Sequence, residues 1–174
     1  WQPFGLGWMA PRDFSEAELR QERHWPRLAL LAPLDLGKNL IVEFALEQPE
    51  ESGRPRLFQV SVAGWHVVLA GAENAGQPGR MLIAAGGDAE LDRLLTEARQ
   101  PGTGVAVQPG LVRGERHVLR VELTQSRGQV RVRLDGVELG SHSDLRPRTG
   151  AAGADVITVR ALERVLLRSV TIEA

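Results

Sequence analysis

From Arg116 onward the chain is a run of short stretches in which apolar and polar side chains alternate, two of them joined by an Asp-Gly pair. In 118–124, Leu119, Val121 and Leu123 fall on one side of an extended chain, and Arg120, Glu122 and Thr124 on the other. Ser126, Arg127 and Gly128 turn the chain, after which Val130, Val132 and Leu134 alternate with Arg131 and Arg133. Asp135 and Gly136 turn it again before 137–140. Successive side chains of a strand point to opposite faces, so a period of two gives each strand one face for a core and one for solvent. An Asp-Gly pair supplies the two positive-φ residues of a tight hairpin turn. A meander of this kind commits the chain to an all-β class and leaves its chemistry open.

The same alternation recurs upstream. In 39–48, Leu40, Val42, Phe44 and Leu46 face one way and Glu43 and Glu47 the other. Further strands are predicted at 27–31, 57–63, 65–70, 81–85, 103–108, 155–161 and 165–173, with Gly64 turning the chain between the second and third of these. Residues 1–8 read as an irregular lead-in or a short edge strand. Ser15 and Glu18 fit a capping box, which predicts a short helical turn in 15–23. Residues 88–99 change period: Leu91, Leu94, Leu95 and Ala98 share a helical face, Asp88 is the expected N-cap, and Pro101-Gly102 stops the helix. Packed on a sheet this helix buries its leucines; left exposed, it would be a protein-interaction surface. About ten short strands, one helix and no linker or repeat predict a single antiparallel β-sandwich domain over residues 1–174.

Composition sets the outer limits. The 174 residues carry a net charge of −1, with basic and acidic groups interspersed, so nothing favours nucleic acid as a partner. Lys38 is the only lysine among 21 basic residues, a bias expected from genome composition. The absence of cysteine excludes disulfides, thiolate metal sites and a cysteine nucleophile. No apolar run approaches the roughly 18 residues of a membrane span. A first residue of Trp rather than Met fits either a domain cut from a longer protein, with a signal or membrane anchor upstream, or a trimmed start.

Three stretches then carry a resemblance. Residues 116–123 (Arg-His-Val-Leu-Arg-Val-Glu-Leu), followed by 129–136 (Gln-Val-Arg-Val-Arg-Leu-Asp-Gly), resemble the paired strands of laminin-G-like and concanavalin A-like jelly-roll domains. The closing strands, 156–161 and 165–172, resemble the last two of the same domains, and 27–31 with 39–44 resemble the opening pair; the resemblance also implies a strand near 15–23 in place of the helical turn. The pattern is most similar to bacterial domains of the 3-keto-disaccharide hydrolase type. The resemblance implies a concanavalin A-like sandwich in an extracytoplasmic setting: periplasmic, cell-surface or secreted. The hydrolase members carry an Asn-Ser-Gly motif on a central strand; this chain lacks it, so no catalytic residue is carried over.

Candidate chemistry is sparse. His24, His66, His117 and His142 are not at metal-ligand spacing, and His117 is expected on the solvated side of its strand. Glu43, Glu47 and Glu122 would serve a carbohydrate hydrolase only if two of them faced each other across a groove, and their polar-side positions point instead to solvent. Asn74, Asp88 and Asp92 are oxygen ligands near one loop, but Asp88 is accounted for as a cap, so neither metal nor cofactor is expected. Sugar recognition uses aromatic faces flanked by polar groups. Trp25 (beside His24), Trp65, His66 and Arg80 are the candidate ligand residues, with core packing the alternative for both tryptophans. The expected function is a noncatalytic module binding a glycan or a protein; a hydrolase and a self-assembling structural domain are the alternatives.

Overall fold

Alternation resolves into two antiparallel sheets. The structure is a computed structural model and describes residues 2–4, 17–19, 27–31, 39–47, 57–71, 78–108, 110–111, 114–124, 128–144, 156–162 and 165–173. Its strands, in chain order, are β1 (Gln2–Phe4), β2 (Ala17–Leu19), β3 (Arg27–Leu31), β4 (Leu40–Glu47), β5 (Leu57–Val62), β6 (Trp65–Ala70), β7 (Gly79–Ala85), β8 (Val105–Val107), β9 (Arg116–Thr124), β10 (Gln129–Leu134), β11 (Val137–Ser143), β12 (Val156–Leu162) and β13 (Val165–Glu173); the helix α1 (Asp88–Ala98) lies between β7 and β8. One sheet has the order β1-β3-β12-β5-β6-β7-β8 and the other β11-β10-β9-β4-β13-β2. Among the described residues no helix is long and apolar enough to cross a membrane.

The core lies between the sheets. Leu40, Val42, Phe44 and Leu46 on β4 and Leu119, Val121 and Leu123 on β9 meet Phe58, Val60 and Val62 on β5 and Val67 and Leu69 on β6, all at most 2% exposed. Burying each such side chain is worth about 1.5–3 kcal/mol. Two tight turns set the register. Asp135 and Gly136 have φ of 51° and 80°, and Ala63 and Gly64 have 49° and 76°. Both turns thus have the paired positive φ of the hairpin type that follows strand twist. Asp135 suits its place, because its Oδ1 accepts from the Val118 N–H at 2.8 Å and its own N–H donates to the Val118 carbonyl at 2.9 Å.

The seven-stranded sheet has a second buried side. Leu57, Val68, Ala70, Leu82 and Ala84 on its outer face form a separate apolar cluster with Leu91, Leu94, Leu95 and Ala98 of α1. Every residue of β5 and β6 is buried. The helix therefore packs on the sandwich.

Three local expectations change. Residues 17–19 are a strand, not a helical turn: they pair with Val165, Leu166 and Leu167 of β13. A lone helical turn forms few bonds for the residues it fixes, whereas a sheet edge satisfies the backbone at once. Asp88 is not the N-cap of α1; Gly87 holds that place in extended geometry, with no side-chain cap. Asp88 instead joins Glu90 in the first turn, where negative charge meets the positive end of the helix dipole. His117 is buried rather than solvated. It shares odd parity with Leu119, Val121 and Leu123, so its strand turns it inward, and its Nδ1 lies 2.7 Å from Asp135 Oδ2.

Candidate functional site

The four candidate residues do not converge on one exposed surface. Trp25 lies outside the described residues. Trp65 opens β6 with its side chain in the main core, 3% exposed, and meets the His142 ring edge-on with centroids 5.6 Å apart. His66, the next residue, faces the other way, under α1. Its Nδ1 lies 2.6 Å from Ser61 Oγ and its Nε2 lies 3.0 Å from the Gly86 carbonyl oxygen. Gln59 Nε2 donates to Ser61 Oγ at 2.6 Å. The carbonyl fixes the tautomer: Nε2–H donates to Gly86, and Nδ1 accepts from Ser61. Burial pushes the His66 imidazole below its ordinary value, with the Gly86 and Gly87 backbone and the nearby Asp88 and Glu90 acting partly against it.

Arg80 on β7 reaches over the C-terminal end of α1. Its Nη1 donates to the Gln100 carbonyl at 2.6 Å and the Thr103 carbonyl at 3.1 Å, and its Nη2 donates to the Ala98 carbonyl at 3.1 Å. The last turn of α1 contains no basic residue, and a strand arginine takes that part. Histidine and arginine here serve the docking of the helix.

The other broad polar array is the outer face of the six-stranded sheet, where alternation places, among the described side chains, five arginines and four glutamates. Arg120 on β9 donates from Nη1 to Glu43 Oε1 at 2.7 Å and from Nε to Glu122 Oε1 at 2.8 Å. Arg131 and Arg133 on β10 flank Glu122 at 3.9 and 3.5 Å, and Arg131 lies 3.4 Å from Glu138 on β11. At the opposite end Glu47 Oε2 accepts from Arg116 Nε at 3.1 Å and from Arg168 Nε and Nη2 at 3.1 and 2.9 Å. Arg168, helped by Arg116, holds the Glu47 carboxyl below the usual carboxylate range. β4 is central to this pattern: pairing with β9 sets Glu43 opposite Arg120 and Glu47 opposite Arg116.

Glu43, Glu47 and Glu122 therefore do share a face, but each is hydrogen-bonded to arginine. A glycosidase acid needs its proton held to higher pH, the reverse of what Arg168 and Arg116 do to Glu47. The array presents fixed donors and acceptors rather than a proton-transfer pair. Asp88 and Asp92 lie on α1, Asn74 lies outside the described residues, and among the described residues no three His, Asp or Glu side chains gather as a metal site.

The residues of this array stand in the sequence as the polar half of each strand. Alternation alone marks them as outward; strand order is needed to bring them side by side.

No protein-family model matches the sequence, and no curated protein matches it. Solved structures do. The carbohydrate recognition domain of Emp47p aligns with a TM-score of 0.55 at 12% identity, over 91% of this chain and 78% of that one. The carbohydrate recognition domain of Emp46p aligns with a TM-score of 0.54 at 9% identity, over 91% and 88%. A human galectin-16 variant aligns with a TM-score of 0.50 at 14% identity, over 84% and 94%. These likenesses identify the fold as the concanavalin A-like and galectin-like jelly-roll sandwich. The finer similarity to 3-keto-disaccharide hydrolase-type domains gains no support from them.

Proposed function

We propose that this chain is a noncatalytic glycan-binding module whose site is the outer face of the six-stranded sheet. The observation that carries the proposal is the cross-strand array of Arg120, Glu43, Glu122, Arg131 and Arg133. Sugars present hydroxyls that both donate and accept, and planar guanidinium and carboxylate groups held in place by one another match them with little ordering cost. The outer face of the seven-stranded sheet is a poor alternative where it is described, because α1 lies over β6 and β7 and Gln59, Ser61, His66 and Thr158 are buried. The carbohydrate recognition domains of Emp46p and Emp47p lend the reading analogy through shared fold alone. An extracytoplasmic location, where free and surface glycans are met, goes with it.

The test is a glycan-array screen of the purified chain, with titration calorimetry on each hit and on Arg120→Ala. Saturable binding that Arg120→Ala weakens at least about tenfold is the expected result, the size of a lost charged hydrogen bond. If no sugar binds, the proposal fails and a protein ligand becomes the leading reading.

A further inference from the structure

On the premise that this face holds a glycan, we infer that Arg131 and Arg133 form its anion-recognising end and that the ligand is an acidic oligosaccharide bearing an isolated carboxylate or sulfate. Two residues apart on β10, the arginines share the outer face and stand about 7 Å apart along the strand. Their side chains are 41% and 34% exposed. Their carboxylate neighbours use them incompletely. Arg120 has taken the close positions on Glu43 and Glu122. Arg131 approaches Glu138 and Glu122 only at 3.4 and 3.9 Å, and Arg133 approaches Glu122 at 3.5 Å. These are ion pairs by distance without the alignment of a hydrogen bond, and Arg131 Nε is buried with no hydrogen-bond partner.

Three guanidinium groups thus crowd one Glu122 carboxylate, and Arg131 and Arg133 meet it less closely than Arg120 does. A guanidinium presents five donors in a planar fork that fits an oxyanion better than a hydroxyl. An oxyanion placed over Arg131 and Arg133 meets the exposed part of each side chain, while the buried Arg131 Nε stays out of its reach. Glu43, Glu47, Glu122 and Glu138 are interleaved with the arginines on the same face, so a densely charged polymer finds no continuous run of positive charge to follow. One anionic group per binding frame is what the pattern accepts. A sugar carboxylate and a sugar sulfate share this chemistry.

The experiment is titration calorimetry against three matched oligosaccharides: a neutral one, its uronate counterpart and its monosulfated counterpart. The wild-type chain is expected to prefer an acidic form by about tenfold or more, with the two acidic ligands separating carboxylate from sulfate recognition. Arg131→Gln and Arg133→Gln should each lower the acidic-to-neutral ratio. Glu138→Gln, a half-exposed substitution with little bearing on folding, should raise it by removing a competing carboxylate from Arg131. Binding of the neutral sugar as well as or better than both acidic ones overturns the inference and leaves the glycan-binding proposal standing. A ratio unmoved by all three substitutions overturns it too, whereas no binding to any sugar is the failure of the glycan reading itself.

Discussion

At the residue scale, the most exacting chemistry is buried. The chain Gln59 to Ser61 to His66 to Gly86 runs its hydrogen bonds in one direction and has room for only one His66 tautomer. Protonating His66 would set an N–H against the Ser61 hydroxyl proton while the ring stays desolvated. The unfolded chain takes up this proton near 6.5, and the folded one only at lower pH. Stability is therefore complete above about pH 6.5 and falls as pH drops through that value toward the folded pKa. Urea melts between pH 8 and 5 should show that fall, and His66→Gln should flatten part of it. Thr158 gives a prediction of opposite sign. Its Oγ1 is buried without a hydrogen-bond partner on a central strand, so it carries a desolvation cost with no return. Thr158→Val keeps the shape and removes that cost; it should raise stability by about 1 kcal/mol or more, read from the same melts. A destabilised Thr158→Val would mean that the hydroxyl is satisfied in solution.

At the element scale, α1 is held to the sheet at both ends and along one face. Gly86, just before it, donates its N–H to the Gly64 carbonyl at 3.0 Å and accepts from His66. Leu91, Leu94 and Leu95 bury the middle, and Arg80 secures the last carbonyls. Arg80→Ala should leave Ala98, Gln100 and Thr103 without their cation and fray the final turn, at a cost of about 1.5–3 kcal/mol. Hydrogen exchange is the discriminating measurement: amides of the last turn should lose protection while those of β9 and β10 keep theirs. Uniform loss across the molecule would mean that the helix and sandwich unfold as one unit. The helix was legible from the spacing of Leu91, Leu94, Leu95 and Ala98, because period 3.6 is a local property. Its cap was not: Asp88 has the right chemistry, but the path from β7 gives the cap position to Gly87.

At the scale of the whole molecule, the division of labour follows from which sheet faces are covered. One outer face is covered by α1 over β6 and β7, where it works as a second core; the other carries the Arg–Glu array. Trp65 belongs to the first set, on the inner side where β11 comes close to the other sheet through His142. Trp65→Ala should therefore cost about 3–5 kcal/mol of stability through the cavity it opens, and Trp65→Phe much less. Thermal melts of the two variants check this. A Trp65→Ala chain as stable as wild type would contradict the packing described here and return Trp65 to the candidate ligand residues.

The sequence by itself determined the all-β class, the positions of the longer strands, the helix α1, the inward and outward sides of β4 and β10, and those of β9 from Leu119 onward. Each of these rests on a repeat of two or 3.6 residues or on a turn pair such as Asp135-Gly136, and such signals span only a few neighbours in the chain. The short strand Ala17–Leu19 escaped it, since three residues carry no period and pairing with β13 alone makes them a strand. The site was legible in parts: alternation marks Arg120, Glu122, Arg131 and Arg133 as outward polar positions, while Trp65, His66 and Arg80 are marked only by their side-chain chemistry. Only the tertiary structure decided between them. Parity states which residues share a face but not what packs on it, and the covering of β6 and β7 by α1 turned His66 and Arg80 into fastenings of the fold.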